Sequence, residues 1–305
     1  MDKIYVDTVR LLLDVVPDVF VSGRLAMKGG TALNLFVQDM PRLSVDIDVV
    51  FVPYQTPREV ALAEIAAELS AIQGRLKNRG SMAEIAVNKT GNESKIFARR
   101  DRIGVKIEIN HVFRGTLLPV EIRALSKEAS NIFTTAISAP MLAVPELYGS
   151  KLVAAMDRQH PRDLFDVHHM FIGSGLTPEI VECFVSYLAG HNRPVHEVLY
   201  SNDIDLTRPY DNEFSGMARA PVTLAALEGA RARLRSELFG MLTENHKKFL
   251  LGLVKGEPQW DYMQCPHLAE LPAIQWKLQN LTRLRKTNPG KFEAQYGELD
   301  RRFGA

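Results

Sequence analysis

Two aspartates one residue apart, Asp46 and Asp48, interrupt a run that otherwise reads as apolar: Val45, Ile47, Val49, Val50, Phe51 and Val52. In a strand, alternate side chains share a face, so both carboxylates point the same way with Cα atoms roughly 6–7 Å apart. Two such charges repel, and burying them without a partner is costly. A divalent cation removes both objections. Mg²⁺ takes hard oxygen ligands and is usually held by a few carboxylates together with substrate phosphates, so the pair reads as half of a metal-assisted phosphoryl-transfer site. The alternative is a turn or a solvated strand edge, against which the flanking Val and Ile residues argue.

Such a site needs a phosphate cradle and a third acid. Gly29-Gly30-Thr31, at the start of an apolar-periodic helix, offers unhindered backbone N–H groups and the positive end of a helix dipole. An ordinary strand-to-helix turn has the same composition. Lys28 beside it could add a phosphate-directed charge, and Arg42 and Ser44 could position phosphate or ribose oxygens. Glu108 alternates with Ile107 and Ile109 in "KIEI". If that strand lies beside residues 45–52, three carboxylates converge. If the sheet simply has a solvated face, Lys106 and Glu108 are ordinary there.

A second dense segment is "KLVAAMDRQHPRDLFDVHHM", residues 151–170. Lys151 belongs to a helix from Pro145, and Pro161 opens another on which Asp163 and Asp166 share a face at i, i+3. An acid in a first helical turn also has a purely structural use. His160, His168 and His169 do not make a zinc site: adjacent histidines on a helix point about 100° apart, from 3.6 residues per turn, and no H-E-x-x-H spacing exists.

The elements that must position these groups follow from periodicity. Ile4, Val9, Leu12, Leu13 and Val16 predict a helix over 3–16 that Pro17 stops. Leu25 to Lys28 is a short strand, 31–38 a helix, and 45–52 a largely buried strand ending at Pro53. Thr56 as N-cap and Pro57 at N1 predict a helix to about Asn78. Strands are expected at 95–100 and 104–112, with a turn at Gly91-Asn92. Strands become hard to find after residues 138–146, and helical patterns dominate from Pro145 onward. The expectation is an α+β chain: a mixed sheet with flanking helices over 1–137, then a mainly α-helical domain over 138–305.

With 305 residues, a formal net charge of +1 and 46% hydrophobic content, the chain has a sizeable core and no global pull towards a polyanion. Its two cysteines, Cys183 and Cys265, read as reduced thiols rather than a disulfide framework. Without a leader pattern or an 18-residue apolar run, the expected location is cytoplasmic, with no membrane span.

A strand, "GGT", a helix and then "SVDID" resembles the signature of the nucleotidyltransferase (polymerase-β-like) superfamily. The strings "MKGGTALNLF", "RLSVDIDVVF", "KIEI" and "KLVAAMDRQHPRDLFDV" are similar, more narrowly, to the AbiEii/AbiGii toxin family of type IV toxin–antitoxin systems. The resemblance covers roughly residues 20–170 and continues weakly over 249–281. More residues separate Gly30 from Asp46 than in many superfamily members.

The resemblance implies a nucleotidyltransferase-type sheet domain, a helical domain completing the active-site cleft, and transfer of NMP from an NTP with Mg²⁺ or Mn²⁺. Asp46, Asp48 and Glu108 would bind metal. Gly29, Gly30 and Thr31, with Lys28, Arg42 and Ser44, would hold the nucleotide. Lys151 would contact its phosphates, and Asp163 and Asp166 would orient Lys151 or the acceptor. Asp163 is the choice for general base, and Asp166 for a tie to Arg158 or Arg162. The implied acceptor is an RNA 3′ end, tRNA in particular, with a protein or an aminoglycoside-like small molecule as the alternative. A non-catalytic nucleotide-binding protein is the third reading. The implied partner is an antitoxin encoded nearby, with no need of direct binding. Given that core, the acid-free basic run Lys277, Arg283, Arg285, Lys286 and Lys291 becomes a candidate contact for RNA phosphates, though such a run is also an ordinary solvated helix face.

Overall fold

The computed structural model describes residues 1–87 and 93–304, so the expected Gly91-Asn92 turn lies outside the described residues. The chain divides into two compact units, Met1–Leu147 with Phe214–Val222, and Tyr148–Glu213 with Thr223–Ala305.

The first unit contains α1 (Lys3–Val19), β1 (Leu25–Lys28), α2 (Gly29–Thr31, continued by a π-helical turn over Ala32–Val37) and β2 (Asp46–Phe51). Then come α3 (Arg58–Asn78), β3 (Met82–Val87), β4 (Glu93–Arg100), β5 (Ile103–Asn110), β6 (Glu121–Ala124), α4 (Lys127–Phe133) and β7 (Ser138–Met141). The strands form one mixed sheet in the order β3-β4-β5-β2-β1-β7-β6. β2 runs parallel to β5 and antiparallel to β1.

Alternation decides which face is covered. Ile47, Val49, Ile107 and Ile109 are buried, on the face against which α1 packs. α3 packs against β3 and β4 with Ala61, Ile65, Leu69, Ile72 and Leu76 inward, a stripe at i+3/i+4 spacing. Each such Ile or Leu is worth about 1.5–3 kcal/mol when fully buried. α1 runs through Pro17 to Val19 rather than stopping. The proline falls in the last turn, where one lost N–H bond is a small matter. α3 begins one residue later than expected, with Pro57 at the N-cap and no side-chain cap.

Residues 214–222 return to this unit and clamp the segment just ahead of β2. Leu43 N donates to Met217 O at 2.9 Å, Arg219 N donates to Pro41 O at 2.9 Å, and Arg42 bridges Ala218. That fixes where β2 begins.

The second unit is helical. It takes in α5 (Val144–Asp157, whose first turn belongs to the first unit), α6 (Pro161–Ile172), α7 (Pro178–Ala189), α8 (Val195–Leu199) and the single turn α9 (Thr207–Pro209). After these come α10 (Leu224–Met241), α11 (Glu244–Lys255), α12 (Pro272–Thr287) and α13 (Pro289–Gly304). α6 packs on α10, α7 on α11, and α12 on α13 around Phe165, Phe184, Leu234 and Phe249. Trp260 meets Phe249, with ring centroids 5.9 Å apart. Among the described residues, no helix is long and apolar enough to cross a membrane.

Candidate functional site

The glycine turn and the aspartate pair come together at the start of β2. Gly29 has φ +76°, a left-handed conformation open mainly to glycine, and its position allows no side chain. A Cβ there would overlap Asp48 Oδ2 and lie 3.1 Å from Asp48 Cβ. A Cβ on Gly30 would lie 2.9 Å from Arg42 Nη2 and 3.0 Å from Ser44 Oγ. The Thr31 hydroxyl is hydrogen-bonded to Asp46 O and to Ser44 Oγ, the latter at 3.0 Å. Asn34 Nδ2 donates to Gly30 O at 2.9 Å and steadies the turn. Arg42 is buried and donates to Leu43 O at 2.9 Å. Gly29, Gly30, Thr31, Arg42, Ser44, Asp46 and Asp48 thus occupy one corner of the sheet. Lys28 stands in register with Asp48 and, among the described residues, its side chain makes no hydrogen bond or ion pair.

The strand carrying Glu108 does lie beside β2. Asp46 is opposite Lys106 and Asp48 is opposite Glu108, all on the face that α1 leaves open. Lys106, whose part was not read from the sequence, takes a central place. Its Nζ is 2.9 Å from Glu108 Oε2 and 3.9 Å from Asp46 Oδ2, and Lys95 Nζ on β4 is 3.2 Å from the same Glu108 oxygen. Burial alone would lower the Lys106 pKa. The Glu108 hydrogen bond and the charges of Asp46, Glu108 and Asp48 outweigh that and hold it above the ordinary lysine value. Glu108 is therefore met by two ammonium groups instead of converging with the aspartates. Among the described residues, no three acidic, histidine or cysteine side chains are grouped to hold an ion.

Does the corner fit a divalent metal? Asp46 is 34% exposed, Asp48 is half-buried, and both are hard-oxygen donors on an open face backed by a glycine. Mg²⁺ is commonly bound by one or two carboxylates with phosphates and waters completing its shell, so the pair fits it. The residues do not supply a closed protein cage.

In the second unit, Lys151, Arg158, Asp163 and Asp166 form a network, two charges of each sign. Lys151 Nζ is 2.9 Å from Asp163 Oδ1 and 2.9 Å from Asp166 Oδ2, with all three side chains buried. Arg158 Nε donates to Asp163 Oδ2 at 2.6 Å and Nη2 to Oδ1 at 3.0 Å. Arg158 reaches Asp163 because Gln159 and His160 break the helix and swing Arg158 back onto the first turn of α6. Burial pushes the Asp163 carboxyl up, but the Lys151 charge and the Arg158 hydrogen bond outweigh it and hold it well below the usual carboxylate range. His160 caps α6 through Nδ1, accepting from Arg162 N at 3.1 Å, and its Nε2 is 3.0 Å from Glu213. His168 and His169 sit edge to face, 5.8 Å apart.

The basic run on α12 is less open than its composition implied. Lys277 is buried, donating to His191 O at 2.8 Å and Arg193 O at 2.7 Å, and so cannot meet RNA. Arg283 bonds Asn280, and Arg285 lies over Phe292.

Over residues 10–280 the chain matches the family model described as nucleotidyl transferase AbiEii toxin, type IV toxin–antitoxin system. Its fold is similar to that of MenT4, a nucleotidyltransferase toxin from Mycobacterium tuberculosis. That match has a TM-score of 0.57 at 19% identity and covers 89% of this chain and 93% of the other. No curated protein sequence matches the chain.

Proposed function

Because the chain belongs to the AbiEii nucleotidyltransferase toxin family of type IV toxin–antitoxin systems, we propose that it transfers NMP from an NTP to a hydroxyl at the 3′ end of RNA, with tRNA the leading acceptor. The observation that carries this reading is the corner where Gly29 admits no side chain against Asp48 and Thr31 ties the helix start to Asp46. The glycine turn offers backbone N–H groups to a triphosphate, with Lys28 adding a charge that no other side chain engages among the described residues. Arg42 and Ser44 hold the turn against β2.

Asp46 and Asp48 would hold Mg²⁺ or Mn²⁺, which when bound lowers the pKa of the attacking hydroxyl and neutralises charge on the leaving pyrophosphate. Glu108, engaged by Lys106 and Lys95, is assigned to the third-carboxylate position only where substrate draws those lysines away. The family's motif also gives Lys151 to the NTP phosphates. Asp163 is a poor proton acceptor in the grip of Lys151 and Arg158, so its part is to orient Lys151 together with Asp166, not to serve as general base.

The reading sets the reaction in the cytoplasm, where NTPs and RNA meet, and an antitoxin encoded nearby need not touch this chain. Incubation with each labelled NTP, Mg²⁺ and total RNA tests it. Label at RNA 3′ ends is expected. Label on protein or on a small-molecule hydroxyl would redirect the acceptor, and NTP binding without transfer to anything would overturn the enzyme reading.

A further inference from the structure

The open face of the sheet does not end at the aspartates. Strand register continues it outward as a row: Asp46 on β2 lies beside Lys106 on β5, which lies beside Phe97 on β4. Phe97 is 36% exposed, although its neighbours Ile96 and Ala98 on the other face are fully buried. A large apolar ring left on a solvent face forfeits the burial that its side chain type normally seeks. Arg99 stands two residues along the same strand, exposed, and its side chain makes no hydrogen bond or ion pair among the described residues. Beyond it on β3 is Met82, 63% exposed and in register with Arg99. Opposite Arg99 on β5 is Gly104, which keeps the floor there low. Among the described residues, the acids on this part of the face beyond the aspartates are Glu84, in register with Phe97, and Glu108, whose charge Lys95 and Lys106 already meet.

A bare aromatic ring flanked by Lys95, Arg99 and Lys106 has the chemistry that binds single-stranded nucleic acid, in which any base can stack and the phosphates take the cations. A protein partner would use Phe97 and Met82 but has no need of an unpaired guanidinium between them. β4 is two strands from β2, about 10 Å at ordinary strand spacing. That is the reach of the last one or two nucleotides of a strand whose end lies at the aspartates. Resting on the reading of RNA as acceptor, we propose that the face Lys95–Phe97–Arg99–Lys106 is the acceptor platform. Phe97 stacks on a base next to the reacting 3′ end, and Arg99 with the two lysines holds the adjoining phosphates.

The test is anisotropy of a fluorescein-labelled single-stranded RNA 12-mer against wild type, Phe97→Ala, Arg99→Glu and Asp48→Ala, each checked for its fold by circular dichroism. A stacked base removed by alanine weakens binding roughly 5- to 150-fold. Phe97→Ala and Arg99→Glu are expected to show losses of that order, with Arg99→Glu also flattening the salt dependence. Asp48→Ala retains binding. Where wild type transfers label to RNA, KM for RNA rises in both platform variants, and kcat at saturating RNA holds. Unchanged RNA affinity in the two variants, or no binding by wild type, overturns the platform. Loss of binding in the variants sustains it even where wild type labels no RNA, in which case the transfer reading alone has failed.

Discussion

Gly29 stands directly against the carboxylate of Asp48, with φ +76° and no room for a Cβ. The contact joins the turn that would cradle phosphate to the acid that would hold metal, so neither can shift alone. Gly29→Ala combines left-handed strain with displacement of Asp48. Since misplacing a reacting group by about 1 Å can cost about 10²-fold in rate, transfer should fall at least that far while the fold survives. Gly30→Ala should be milder, because the atoms it meets are the ends of the Arg42 and Ser44 side chains. Initial rates with labelled NTP, beside thermal melts, check the order. A Gly29→Ala enzyme as active as wild type would mean that Asp48 does not need its present position.

Asp46→Asn and Asp48→Asn keep shape and remove charge. Each should abolish transfer and growth inhibition, and each should weaken Mn²⁺ binding measured calorimetrically on the protein without nucleotide. Lys106→Met serves as the contrast. It removes one of Glu108's two cations and a charge 3.9 Å from Asp46, so Mn²⁺ should bind more tightly, not less. Tighter Mn²⁺ binding in Asp48→Asn would sink the assignment.

The corner was legible in the sequence because it breaks local rules: two glycines where a helix begins, and two acids inside a β-branched run. The partner strand was legible too, since "KIEI" alternates. What joins them was not. That Glu108 is met by Lys95 as well as by Lys106 on its own strand depends on the register of β4 against β5, which no local pattern specifies. β7 is Ser-Ala-Pro-Met, too short and with a proline to read as a strand, and it is placed in the sheet between β1, parallel to it, and β6, antiparallel to it. Arg158 pairs with Asp163 through a break between helices, beyond helical spacing rules. Lys277 looked solvated because burial against the carbonyls of a distant loop leaves no mark on composition.

Asp163 is buried with its charge met by Lys151 and Arg158. Removing one member of a buried pair leaves an uncompensated charge and typically costs about 3–5 kcal/mol, so Asp163→Asn should lower stability by that order at pH 7. The folded carboxyl is depressed, so this stability is fully present above the unfolded pKa of about 3.9 and is lost as pH falls through the folded value. Urea melts at pH 7, 5 and 3 should show wild type and variant converging only at the acid end. Equal stability at pH 7 would remove the network from the account of this unit.

Lys277 makes the opposite prediction on the alkaline side. Its ammonium is buried against His191 O and Arg193 O, and burial lowers its pKa to about 8, with Glu197 opposing. In the unfolded chain a lysine titrates near 10.4. Between pH 8 and about 10.4 the unfolded state holds a proton that the folded state has released, so this group adds stability as pH rises; below pH 8 both states are protonated and it contributes no slope. Against Lys277→Met, wild type should gain up to about 1.4 kcal/mol per pH unit across that window, with parallel curves below pH 7. The same variant separates the two uses suggested for α12. With its ammonium committed to two carbonyls, Lys277 should leave single-stranded RNA affinity unchanged on substitution. A parallel pair of curves above pH 8, or a fall in RNA affinity, would show that the side chain leaves its buried site.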